Sequence, residues 1–217
     1  MKEEFDALRS RMVEKQLKQR GIKDERVLQA FFKVPRHLFV PPASVAQAYE
    51  DYPIPIGFDQ TISQPYMAAL MTQCLALKEA SRVLEVGTGS GFQTAILAEL
   101  SESVYTVERI LELSREAEER LRTLGYQNIS FKWGNGAEGW ESFGPYDGIL
   151  ISCASGKTPT SLLSQLKDEG FLVIPLGGPV SQVLTIFQKH KHQWEIREIC
   201  GCAFVPLVDK NPQNEVV

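Results

Sequence analysis

Three features that mark other classes of protein are missing from this sequence: an excess of positive charge, a long apolar run and a regular array of cysteines. Lys and Arg number 23 against 27 Asp and Glu, which gives a formal net charge of −4. Nucleic-acid-binding proteins usually present a basic face, so we expect no nucleic-acid partner. No apolar run approaches the roughly 20 residues of a membrane span, and the acidic start lacks a signal core. We therefore expect a cytoplasmic protein without a membrane partner.

The four cysteines are scattered along the chain, at Cys74, Cys153, Cys200 and Cys202. Neither a disulfide framework nor a four-ligand zinc site fits this spacing, and we expect no metal. Cys200 and Cys202 could lie on one face of a strand, where a buried, reduced pair is a simpler interpretation than a metal site. With 217 residues, 43% of them hydrophobic, the chain has the size and composition of one large α/β domain.

Residues 1–80 predict helices followed by a long covering loop. Three helical segments are predicted: 3–20, a segment that starts after the N-cap Asp24 and stops before Pro35, and 64–77. Between the last two lies 35–65, whose recurring prolines and glycine predict a loop or short strands. It is too long to be an idle connection in a compact domain.

From residue 81, short apolar runs alternate with helical segments. The predicted strands are 82–86, 103–108, 129–132, 148–151 and 171–175. The predicted helices are 92–99, 110–124 and 159–166. This alternation implies a mainly parallel sheet covered on both faces, and segments 182–188 and 194–203 predict a C-terminal antiparallel hairpin. The sequence thus predicts one Rossmann-like α/β domain over 1–217, with its core in 81–217.

The first predicted strand of this core leads into a glycine-rich turn. Just before it stands Glu85, and the turn itself consists of Gly87, Thr88, Gly89, Ser90 and Gly91. The spacing G-x-G-x-G differs from the G-x-G-x-x-G of dinucleotide-binding folds, although glycine in both lets a ligand approach bare backbone. A carboxylate is a poor neighbour for a pyrophosphate and a good one for an ammonium group. The turn therefore favours S-adenosylmethionine over NAD, and an ordinary strand-to-helix connection is the alternative.

Polar side chains also follow the next two predicted strands. Glu108 lies 21 positions after Gly87, about the spacing at which an acidic residue meets ribose hydroxyls. A carboxylate there can accept from both hydroxyls at once. The alternative for Glu108 is a surface glutamate beside Arg109. Asn135 stands between two glycines, where it could hydrogen-bond an adenine ring, and a plain polar turn explains those glycines almost as well.

The long loop closes on Gln60-Thr61-Ile62-Ser63-Gln64-Pro65. Hydroxyls beside a helix N-terminus can bind a carboxylate together with free backbone amides. Ser63 could equally be a capping residue for the helix that starts near Pro65. The residues alone leave both interpretations open.

Taken together, segments 60–65, 84–92 and 107–110 resemble the protein-L-isoaspartate (D-aspartate) O-methyltransferase family, in which Thr-Ile-Ser-x-Pro is characteristic. The resemblance covers nearly the whole chain in order. It also takes in 20–22, 24–28, 34–36, 39–41, 48–49, 172–175 and 204–207. Two positions depart from the family pattern: Asn135 replaces a common aspartate, and Cys153 lies in a stretch usually richer in alanine and threonine.

The resemblance implies methyl transfer from S-adenosyl-L-methionine to the free α-carboxylate of isoaspartyl residues in proteins and peptides, with S-adenosyl-L-homocysteine as product. It assigns catalysis to Ser63. It assigns the cofactor to Glu85, Gly87, Thr88, Gly89, Ser90, Gly91, Glu108, Asn135 and Gly136. It assigns the substrate to Gln60, Thr61, Ile62, Ser63 and Val208. We expect a monomer; a nucleic-acid or small-molecule methyltransferase and a non-catalytic cofactor-binding protein are the alternatives.

Overall fold

The computed structural model describes residues 2–191 and 193–214, and within these ranges a seven-stranded sheet is flanked by helices. The strands are β1 (Ile54–Gly57), β2 (Gln60–Ile62), β3 (Arg82–Val86), β4 (Ser103–Glu108), β5 (Ile129–Trp133), β6 (Tyr146–Ile151), β7 (Leu166–Gly177), β8 (Gln182–His190) and β9 (Gln193–Cys202). The helices are α1 (Lys2–Arg11), α2 (Glu25–Lys33), α3 (Pro65–Cys74), α4 (Phe92–Leu100), α5 (Leu111–Thr123) and α6 (Thr160–Leu163).

The sheet order is β5-β4-β3-β6-β7-β8-β9, parallel from β5 to β7 and antiparallel through β8 and β9. The predicted parallel core and C-terminal hairpin are therefore confirmed. The central strands β3 and β6 are mostly buried because helices cover both faces of the sheet, with Glu85 as a buried acidic residue of β3. β3 pairs with β4 on one side and β6 on the other, so the chain reverses its order at β3. Open α/β sheets bind ligands at such a switch point, beyond the carboxyl ends of the strands.

α2 packs against α4, and the N-terminal helices contribute to one of the hydrophobic clusters. α1 continues through a π-helical turn, Met12–Leu17, and a 3-10 turn before it stops at Gly21, whose φ of +98° is left-handed. The Asp24 carboxylate accepts from two backbone amides at the start of α2, as the sequence predicts. Among the described residues, no helix combines the length and apolar character needed to cross a bilayer.

The loop predicted over 35–65 contains more structure than its proline content suggests. Two short 3-10 turns are followed by the β1–β2 hairpin, whose tip residues Phe58 and Asp59 have φ of +53° and +56°. Strands of four and three residues are too short to leave a period of two in the sequence. Ile56 of this hairpin approaches Gly89, since a Cβ built there would lie 3.5 Å from Ile56 Cδ1. The hairpin therefore covers the glycine turn.

The boundaries near α6 and β7 differ most from the prediction. The predicted helix 159–166 is a single turn, because Leu166 already pairs with Tyr146 in the sheet. Residues 167–170 then bulge out before regular pairing resumes at Phe171, where the predicted strand begins. In the terminal hairpin, β8 extends to His190, which the sequence analysis expected in the turn, and His192 lies outside the described residues. Cys200 and Cys202 on β9 are free but half-buried, not fully buried as expected.

Candidate active site

One cavity opens beyond the carboxyl ends of β3, β4 and β6, at the switch point of the sheet. It is lined by Gln60–Ser63 from the hairpin, Gly87–Ser90 from the glycine turn, Glu108–Ile110, Gly136, Ser152, Cys153 and residues 205–208. Segments far apart in the sequence thus meet at one place. Three of the predicted cofactor residues do not line the cavity: Glu85, Gly91 and Asn135.

The glycine turn requires its glycines for two different reasons. Gly87, Gly89 and Gly91 have φ of +95°, +54° and +85°, a region that side chains with a Cβ rarely adopt. At Gly91 a Cβ would also lie 3.0 Å from Leu121 Cδ1, so α4 could not pack as closely on α5. Gly91 therefore allows α4 to pack closely on α5, whereas Gly87 and Gly89 present their backbone to the cavity.

Glu108 is buried at the end of β4 and faces the cavity, so it is not the surface glutamate that the sequence allowed. One carboxylate oxygen accepts from Gly89 N at 2.9 Å, and the other accepts from Arg109 N at 2.8 Å and Ile110 N at 2.9 Å. Glu108 thus ties the glycine turn to the end of the neighbouring strand.

Glu85 lies one layer below the cavity and is fully buried. Its Oε2 accepts from Thr94 Oγ1 at 2.6 Å and Thr106 Oγ1 at 2.7 Å, whereas Oε1 has no partner among the described residues. Burial raises the pKa of Glu85 to about 8, against the lowering effect of the two threonine hydrogen bonds. Thr106 Oγ1 also lies 2.6 Å from Thr88 Oγ1, so a chain of hydrogen bonds through Thr106 and Thr88 links Glu85 to the cavity.

The Asn135 side chain is engaged within the protein. Its Oδ1 accepts from Ala137 N at 3.0 Å, which caps the short 3-10 turn that follows. Its Nδ2 donates to Glu138 Oε1 and to Asp209 Oδ1, both at 3.1 Å. Donation by Asn135 and by Lys157 lowers the pKa of Asp209. Asn135 therefore joins the end of β5 to the C-terminal segment beside the cavity.

The C-terminal segment is held against the end of β6. Ala154 N donates to Val205 O at 2.8 Å, and Leu207 N donates to Ala154 O at 2.7 Å. This places residues 205–208, including the predicted substrate residue Val208, along one wall of the cavity. Cys153 also lines the cavity, and burial raises the pKa of its thiol to about 12, so the thiol is neutral at physiological pH.

Ser63 lies in the cavity wall just before α3, and it does not cap that helix. The N-cap is Gln64, and the Asp51 carboxylate accepts from Tyr66 N in the first turn at 2.9 Å. The capping interpretation of Ser63 is therefore wrong. The Ser63 carbonyl accepts from Arg36 Nη2 at 2.8 Å.

Arg36 is a buried residue of this region that the sequence analysis did not single out. Its fully buried guanidinium also donates from Nε to Ala48 O at 2.8 Å. Burial lowers the pKa of Arg36 to about 9, partly offset by Asp51 and Tyr49, so the group stays charged at neutral pH. The sequence signal for its burial is an arginine set among Val34, Pro35, Leu38 and Phe39.

Comparison with known proteins decides the family. The family model for protein-L-isoaspartate (D-aspartate) O-methyltransferase, PCMT, matches residues 8–212. A protein-L-isoaspartate O-methyltransferase of Dictyoglomus turgidum is 53% identical over 191 residues, covering 88% of this chain and 87% of that protein. The chain belongs to this family. Another member, from Geobacter metallireducens, is 50% identical over 207 residues, covering 95% of this chain and 96% of the relative.

A solved structure extends the PCMT relationship to the fold. It is that of a Plasmodium falciparum protein assigned as a protein-L-isoaspartate O-methyltransferase, in complex with S-adenosyl-L-homocysteine. The match has a TM-score of 0.82 at 27% identity and covers 93% of this chain and 99% of the other. The predicted family and the predicted Rossmann-like methyltransferase fold are both confirmed.

Proposed function

We propose that this PCMT family member methylates the free α-carboxylate of L-isoaspartyl residues in damaged proteins and peptides, with S-adenosyl-L-methionine as methyl donor. One observation carries the proposal: the Gln60–Ser63 segment and the glycine turn line the same cavity. Hydroxyls suited to a carboxylate thus share this cavity with backbone suited to a nucleoside cofactor. Relatives at about 50% identity named for this reaction support the assignment.

The residues present fit this cofactor. A Cβ at Gly136 would lie only 2.5 Å from Val86 Cγ1, so only glycine lets the backbone after β5 pack this closely on the Val86 side chain in the cavity wall. The buried Glu108 carboxylate faces the same space. We assign the ribose to Glu108, the amino-acid end to the turn 87–90 with Glu85 behind it, and the adenine to the region of Asn135 and Gly136. When bound, the cofactor supplies an electrophilic methyl group on a sulfonium.

The substrate carboxylate needs orientation but no base, because it is ionised at neutral pH. We assign the orienting hydrogen bond to the Ser63 hydroxyl, supported by Gln60, Thr61, Ile62 and Val208. Two described histidines are engaged elsewhere: His37 Nδ1 lies 2.7 Å from Tyr49 Oη, and His190 contacts Glu169. Ser63 therefore acts as a positioning donor and not as an activated nucleophile.

Water exclusion favours this reaction, since an anion and a cation neutralise each other and water stabilises the separated charges more than the transition state. The hairpin and the C-terminal segment both line the cavity and supply that exclusion. The methyl ester would then lose methanol by succinimide formation, and hydrolysis returns some normal aspartyl linkage. We further propose that the chain acts as a single methyltransferase domain and as a cytoplasmic monomer, without a nucleic-acid partner.

The test uses purified protein, methyl-labelled S-adenosylmethionine and two peptides that differ only in an isoaspartyl or a normal aspartyl linkage. Base-labile label in the isoaspartyl peptide alone is the expected result. If calorimetry shows that the cofactor binds but no peptide is labelled, the isoaspartyl assignment fails. A small-molecule or nucleic-acid acceptor, or a non-catalytic binder, would then take its place.

A further inference from the structure

A buried positive charge lies directly behind Ser63. The Arg36 guanidinium is fully buried, holds the Ser63 carbonyl through Nη2 and stacks over the Phe92 ring at 4.8 Å. Ser63 and Phe92 both line the cavity, whereas Arg36 lies in the layer below them. Arg36 Nη1 has no hydrogen-bond partner among the described residues.

The charge of Arg36 is only partly balanced inside the protein. Its two acceptors, Ala48 O and Ser63 O, are neutral carbonyl groups. Of the acidic groups, Asp51 acts most strongly on Arg36, but the Asp51 carboxylate is shared between Tyr66 N and the Arg20 guanidinium. A buried cation without a dedicated counter-ion is costly, so an anion that enters the cavity beside Ser63 gains favourable interaction with it.

We propose that Arg36 is a positioning residue that fixes Ser63 through its carbonyl and provides the balancing charge for the carboxylate of the substrate. This inference rests on the proposed function. Because the methyl ester is neutral, the charge favours binding of the acid over binding of the ester. Arg36 therefore acts on substrate affinity and on product release more than on the methyl-transfer step.

The test compares two ligands that differ by one charge. The first is an isoaspartyl peptide and the second is the same peptide with its α-carboxylate replaced by a carboxamide. Calorimetry with the S-adenosylhomocysteine-bound protein gives both dissociation constants, and their ratio measures the preference for charge. Ser63→Ala, which removes the hydroxyl and keeps Arg36, gives the part of this ratio that comes from the Ser63 hydrogen bond, because a hydroxyl binds a carboxylate more strongly than a carboxamide.

Two variants of Arg36 separate charge from hydrogen bonding. Arg36→Gln keeps a donor but loses the charge, so the preference for the acid should fall by about tenfold, the scale of one nearby charge in a partly desolvated site. Arg36→Lys keeps the charge and should retain most of the preference. The matched control is Arg26→Gln, because Arg26 also donates to two carbonyls, Leu77 O and Leu100 O, away from the cavity. It should leave the ratio at the wild-type value.

A third variant keeps the test decisive if Arg36→Gln does not fold. Asp51→Asn removes the negative charge that acts most strongly on Arg36, while the amide oxygen of the asparagine can still cap α3. The preference for the peptide with the free carboxylate should therefore rise. An unchanged ratio in Arg36→Gln, or in Asp51→Asn where only that variant folds, would overturn the role of Arg36. If wild-type protein does not discriminate isoaspartyl from aspartyl peptides, the proposed function itself fails instead.

Discussion

Glu85→Gln should change how the stability of the protein depends on pH. The carboxylate is fully buried, one oxygen is without a partner among the described residues, and the pKa is raised to about 8. In the unfolded chain a glutamate titrates near 4.3. Between these two values the folded protein holds a proton that the unfolded chain has released. The free energy of unfolding therefore falls as the pH rises through this window.

The magnitude follows from the two pKa values. Each pH unit within the window costs up to about 1.4 kcal/mol, and from pH 5.5 to 7.5 the loss amounts to about 2.5 kcal/mol. A glutamine at position 85 still offers an oxygen to Thr94 and Thr106, and its amide replaces the oxygen that lacks a partner. Because glutamine does not titrate, the variant should be spared this loss and should gain on the wild type as the pH rises.

Urea unfolding followed by tryptophan fluorescence, without cofactor, at pH 5.5, 6.5 and 7.5 measures this difference. The control is Glu116→Gln, which changes an exposed glutamate on α5 and should follow the wild type at each pH. Other titrating groups are common to all three proteins, so only the difference between the curves matters. Parallel curves for wild type and Glu85→Gln would refute the assignment of a neutral, buried Glu85.

Three further substitutions test the site. Ser63→Ala should lower kcat/KM for an isoaspartyl peptide by roughly 10- to 100-fold, the effect of losing one hydrogen bond to a charged group. Calorimetry should show that its affinity for the cofactor is unchanged. Activity equal to that of the wild type would contradict the Ser63 assignment. Gly136→Ala places a Cβ 2.5 Å from Val86 Cγ1. Thermal unfolding should show a protein destabilised by about 1–3 kcal/mol, and cofactor binding should be weaker than in the wild type. Asn135→Asp replaces the donor to Asp209 with a carboxylate, so hydrogen exchange in residues 205–208 should rise at pH 7 and return toward wild type near pH 4. Unchanged exchange would mean that Asn135 does not hold that segment.

The sequence predicted the parts of the fold that depend on local pattern. The parallel core strands are short apolar runs bounded by turns, and the Asp24 cap lies where its side chain meets free amides. Residues 35–65 were predicted as loop or short strands, but the pairing of β1 with β2 was not predicted, because the strands are short and Pro53 and Pro55 argue against a strand. The early start of β7 was also missed, since residues 167–170 carry turn-forming side chains and bulge out between two paired segments.

The sequence predicted which motifs form the site, but not which of their side chains line the cavity and which lie beneath its wall. A pattern places Glu85 beside the glycine turn, yet only the packing of Thr94 and Thr106 decides that its carboxylate lies beneath the cavity wall. The same holds for Asn135, whose amide is engaged by a segment 74 residues further along the chain. Arg36 shows the converse, because a charged side chain is ordinarily expected at the surface. How deeply a side chain is buried depends on tertiary contacts, and the spacing of residues along the chain does not predict it.

Glu85 and Glu108 are the same residue type near the ends of neighbouring strands, but their carboxylates have different capacities for a ligand. Glu108 accepts from three backbone amides, and a carboxylate offers about four acceptor positions. About one position remains for a ligand hydroxyl. Accepting from both hydroxyls of a ribose at once, as the spacing predicts, therefore requires one amide to withdraw. Gly89 can supply that change most easily, because its amide belongs to a turn of glycines that lack a Cβ, whereas the other two amides begin the segment leading into α5. The glycine turn would then adjust to the cofactor while Glu108 stays fixed.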